Sequence, residues 1–150
     1  GGFRTDSDDY KNMEKKRHIK VAGVLFFVWT AVILYGSLSP GDDLPPMGWL
    51  ARIPHFDKIV HFCFYLGQVL LLLLWLQPSR GNRIWVALCA IIFSGTIELL
   101  QGEYFDRSAD WLDFAANSAG ALAGIPLARL AERLIFKKDS GNETPPNNDN

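Results

Sequence analysis

The sequence is short of several things, and each shortage narrows the field. It has only two cysteines in 150 residues, Cys63 and Cys89, both inside apolar runs. Neither a disulfide framework nor a cysteine-based zinc site is expected, and both residues read as small buried hydrophobes. No charge sign dominates: 15 Lys and Arg stand against 16 Asp and Glu, for a net charge of −1. Without a basic surface, nucleic acid is not an expected partner. No HExxH or comparable metal-ligand spacing occurs. Long stretches of the middle also lack charge, although 21% of the chain is charged and 49% is apolar. The charge is segregated, collecting at the two ends and in short gaps.

The uncharged runs read as helices. Residues 21–38, "VAGVLFFVWTAVILYGSL", would extend ~27 Å as a helix, close to the hydrocarbon thickness of a bilayer. The run is longer than a usual signal core and lacks a clear small-residue cleavage site, so it reads as a first spanning helix. Residues 59–76 form a second helix, ended by Pro78, and residues 84–101 a third. A fourth runs from about residue 109 to 129, with an extension toward 138, rich in Ala and Gly and carrying Pro126. The predicted fold is all-α: a polytopic membrane protein built as a four-transmembrane-helix bundle over residues 19–138. Residues 1–18 read as a disordered, then basic, leader, with the part before Met13 taken as an expression-derived remnant. Residues 139–150 read as a disordered polar tail.

Basic residues set the orientation. Lys15, Lys16, Arg17 and Lys20 precede the first helix, Arg80 and Arg83 crowd the second connection, and Arg129, Arg133, Lys137 and Lys138 close the fourth. The positive-inside rule then puts both termini in the cytoplasm and the first and third connections outside. The first outer connection, residues 39–56, holds four prolines and Trp49, Leu50, Ile53 and Phe56. It reads either as an interfacial anchor or as a lid over a site.

With that orientation, polar residues from three segments share the outer membrane level. Asp57, His61 and Tyr65 fall on one face of the second helix. Ser94, Glu98 and Gln101 fall on one face of the third. Asp110, Asp113, Asn117, Gly120 and Gly124 lie within an arc of roughly 80° on the fourth. Glycines favour close helix contact, so this face is expected to point into the bundle. Charge in a membrane costs roughly 2.5–3.5 kcal/mol per group, so the groups are expected to converge. Arg107 can bridge carboxylates, His61 can share a proton with Glu98 or Asp113, and Asn117 can satisfy what remains. Simpler roles stay open for some of them. Asp57 and Asp110 can cap helices, Gln101 can join helices, and Lys58 can snorkel to the interface.

These residues also carry a family resemblance. "DKIVHFCFY", then "IELLQ", then "RSADWLDFAANSAGALAG" resemble the VanZ-like family, through Asp57, Lys58, His61, Tyr65, Glu98, Gln101, Arg107, Asp113, Asn117, Gly120 and Gly124. The resemblance implies a small multi-pass protein of the bacterial cytoplasmic membrane, associated through its founding member with teicoplanin resistance. Three readings stand beside one another. The first is a binding module for a lipoglycopeptide or a lipid-linked wall precursor. The second is an intramembrane enzyme using His61, Glu98, Asp113 and Arg107 on a lipid-linked substrate. The third is a structural interaction subunit whose cluster is only a helix clasp. No cofactor is expected. A divalent metal on His61, Glu98 and Asp113 is the weak alternative, and a homodimer is a further open partner besides membrane lipids.

Overall fold

A computed structural model describes residues 5–39, 48–104 and 110–137. It is all-helical across them, with four long helices: α1 (Asp6–Leu38), α2 (Phe56–Leu76), α3 (Arg83–Tyr104) and α4 (Trp111–Lys137). Two short 3₁₀ segments, Gly48–Arg52 and Arg80–Asn82, precede α2 and α3.

The first helix starts at Asp6, well before the uncharged run. Residues 6–12, expected to be disordered, are helical, as is the basic stretch that follows. The reason is local: Asp8 accepts from the Thr5 hydroxyl at 2.9 Å, and Asp6, Asp8 and Asp9 place negative charge in the first turn. The expected remnant before Met13 thus includes the start of α1, while the expected tail at 139–150 lies outside the described residues.

At its far end, α2 stops where Gln77 adopts a left-handed conformation (φ 49) and returns its N–H to the Leu73 carbonyl at 3.0 Å. Pro78 follows and cannot continue the helix. The fourth helix runs through Pro126 without interruption.

Packing centres on α2, which meets α4 most extensively and α1 next. The core comprises Ile33, Tyr65, Val69, Leu73, Ala90, Ile97, Ala121 and Ala128. Two contacts set the helix spacing. Gly120 of α4 lies against the Phe62 carbonyl of α2, where a Cβ would collide with backbone. Trp29 of α1 lays its indole on Gly67 and donates Nε1–H to the Phe64 carbonyl at 2.8 Å.

The outer surface is as apolar as the core. Val24, Phe27 and Val28 on α1, Ile59 on α2, and Ile92 and Leu99 on α3 are all exposed. Helices that are apolar all round are either deeply buried or face lipid. Three of them, α1, α2 and α3 with its preceding turn, are long and apolar enough to cross a membrane. Cys63 and Cys89 are exposed on this surface rather than buried as expected. Being apolar marks a residue as suited to lipid as well as to the core, so composition alone could not separate the two.

Candidate functional site

At the end of the bundle where α2 begins, α3 finishes and α4 begins, the sequence-predicted groups meet. His61 of α2 faces Asn117 of α4 with Nδ1 3.0 Å from Oδ1. The Asn117 amide nitrogen lies 3.5 Å from Glu98 Oε1 on α3. If Asn117 Oδ1 accepts from His61, its amide is left to donate to Glu98, so this orientation satisfies both contacts. His61 Nδ1 then carries the proton. Nε2 is directed toward Asp113 Oδ2 at 3.6 Å. Glu98 and Asn117 are buried, while His61 and Asp113 have side chains 13% and 16% exposed.

A second layer lies above the first and is organised by Lys58. Its ammonium reaches Asp57 at 2.9 Å, Asp110 at 2.7 Å and Asp113 at 2.5 Å. Asp110 divides its oxygens: Oδ2 takes Lys58, while Oδ1 caps α4 by accepting from Leu112 N–H at 2.8 Å. The Lys58 contact comes first among the causes that hold the Asp110 carboxyl below its ordinary range, and the Leu112 bond adds to it. Lys58 therefore ties the start of α4 to the start of α2. It does not snorkel away as the sequence suggested.

The other expected members fall outside this contact set. Asp57 has a 61% exposed side chain and reaches the cluster only through Lys58. Tyr65 is buried against Phe93, and its hydroxyl has no partner among the described residues. Gln101 donates to the Ser37 carbonyl, joining α3 to α1. Arg107 lies outside the described residues. Glu98 Oε2 and Ser94 Oγ are buried without partners among the described residues, so polar capacity is left over around α3.

His61, Glu98 and Asp113 each offer a ligand atom within 4.8 Å of the others. Atoms bound to one ion at ~2.1 Å can be no more than ~4.2 Å apart. Direct ligation at that distance would require this set to contract.

Beside the cluster, a cavity of about 280 Å³ opens between α3 and α4. Glu98 and Asp110 meet it from the polar side, and Gly95, Leu99, Trp111 and Phe114 line the rest. Leu99 and Trp111 are exposed, so the cleft opens sideways on the apolar surface.

Fold and cluster together define a protein that is all-helical across the described residues, with membrane-spanning capacity and a buried His–Asn–carboxylate site at one end. The VanZ/LLP1 family model matches residues 6–132, and the chain belongs to that family. Its link to glycopeptide resistance rests on the family name alone. No curated protein and no solved structure matches the chain.

Proposed function

We propose that the protein is a four-span protein of the bacterial cytoplasmic membrane that binds an amphiphile from the outer side. The ligand class is a lipoglycopeptide such as teicoplanin or a lipid-linked wall precursor. Both termini would lie in the cytoplasm, as the basic residues at the opposite end of the bundle favour.

The observation that carries this reading is the join between two unlike surfaces. Glu98 and Asp110 border the apolar cleft and also belong to the polar cluster. A ligand with a polar head and an apolar tail matches that join. Asp57, Asp110 and Asp113 surround Lys58 and Glu98 lies beside His61, so carboxylates outnumber the lysine and amines and sugar hydroxyls are favoured head groups.

A second reading is supported by the His61 geometry. An imidazole with Nδ1 held by Asn117 and Nε2 beside Asp113 is suited to proton transfer. In that case the same site would act chemically on a lipid-linked substrate.

Titrating the purified chain in lipid nanodiscs separates these readings. The probes are teicoplanin, deacylated teicoplanin and a lipid-linked wall precursor. Saturable binding that requires the acyl chain and is lost in Glu98→Gln is expected. Turnover of the precursor would favour the second reading. Absence of saturable binding for all three would contradict both.

A further inference from the structure

The opposite end of the bundle carries a second pocket of different character. A cavity of about 360 Å³ is lined by Arg80, Arg83, Arg129, Glu132, Arg133 and Phe136. It lies where α2 ends, α3 begins and the last turns of α4 run. We propose that this pocket holds the phosphodiester headgroup of an anionic phospholipid, independently of the site at the other end.

Charge is the first argument. Four arginines meet one carboxylate. Arg83 is buried, and its Nη2 lies 2.9 Å from both Glu132 oxygens, which neutralises one of the four. Arg83 Nε and Nη1 are buried without partners among the described residues, so that ion pair uses only part of the guanidinium. Helix C-termini carry about half a negative charge each. Those of α2 and α4, against the opposing N-terminus of α3, leave about two and a half positive charges unbalanced. Arginine is the side chain suited to planar, multidentate recognition of phosphate.

Shape is the second argument, and it selects a lipid over free phosphate. Phe136 also lines an apolar groove of about 170 Å³ between α1, α2 and α4, with Ile19, Leu25, Leu71, Leu74 and Ile135. Lys15 Nζ lies 5.3 Å from the Phe136 ring centroid, adding a further cation at this junction. A basic pocket that continues into an apolar groove between spanning helices fits a headgroup and the start of its chain.

The test is native mass spectrometry of the delipidated full-length chain, titrated with phosphatidylglycerol, phosphatidylcholine of the same chains, or inorganic phosphate. The wild type is expected to prefer phosphatidylglycerol. Arg129→Gln with Arg133→Gln, both exposed positions, is expected to reduce that preference at least about fivefold. Lys16→Gln with Arg17→Gln removes the same charge from the exposed surface of α1 and is expected to change it far less. Arg80→Gln, outside the long helices, gives a second pocket variant should the pair not fold. Equal losses in the pocket and control pairs, or no headgroup preference in the wild type, would overturn the proposal. Displacement of the lipid by inorganic phosphate at matched concentration would assign the pocket to a soluble anion and overturn the lipid assignment.

Discussion

Lys58 bears on three carboxylates at once, and its removal would leave Asp57, Asp110 and Asp113 facing one another. Lys58→Met is expected to lower stability in detergent by about 1–3 kcal/mol, whereas Lys58→Arg, which keeps the charge, is expected to lose less. Thermal unfolding of both variants checks this, and an unchanged midpoint for Lys58→Met would contradict the clamp. Side chains like this one mark the limit of what the sequence conveys. His61, Glu98, Asp113 and Asn117 were legible because helical spacing fixes their faces and their depth is expensive for polar groups. Lys58 was not, because a long flexible stem can deliver its ammonium either outward or inward. Gln101 was equally ambiguous, and it turned out to bond α1 instead of joining the cluster.

Close approach of α4 to α2 is what brings Asn117 and Asp113 to His61. Gly120 sits one turn beyond Asn117, where an added Cβ would run into the Phe62 carbonyl. Gly120→Ala must push the two helices apart, because backbone cannot step aside as a side chain can. A loss of about 1–3 kcal/mol is expected, measurable as reduced thermal stability of the purified chain. Full stability would show that the helices do not rely on this contact. The sequence did show that the glycine face and the acidic face of α4 coincide. It could not show which apolar faces of the other helices meet protein and which meet lipid. Cys63 and Cys89 illustrate this, since both interior and lipid reward an apolar side chain. The early start of α1 was likewise obscured, because charged residues 6–18 carry no hydrophobic pattern and are ordered by capping at Thr5 and Asp8.

For the molecule as a whole, the exposed cysteines provide a test of how it sits in the membrane. In intact cells a lipid-soluble maleimide is expected to label Cys63 and Cys89, and a membrane-impermeant one to leave them unmodified. In a cysteine-free background, Arg52→Cys is expected to react with the impermeant reagent without lysis. Reaction of Arg52→Cys only after lysis would reverse the orientation. The two ends of the bundle differ in charge, with carboxylates gathered around Lys58 and His61 at one and arginines around Glu132 at the other. The arginines were visible in the sequence as an orientation signal, but their enclosure of one cavity depends on how α3 and α4 are placed. The central claim is that the His61–Asn117–Glu98 cluster binds a ligand and is more than a clasp. Glu98→Gln tests it most directly, because the amide keeps the shape and removes the charge. Membrane abundance, thermal stability and teicoplanin susceptibility are measured in the same cells, with Ile92→Ala, on the outward face of α3, as the control. Normal abundance and folding with lost protection in Glu98→Gln, and retained protection in Ile92→Ala, is the predicted result. Full protection by Glu98→Gln at normal abundance, or a loss that merely follows a loss of protein, would contradict it.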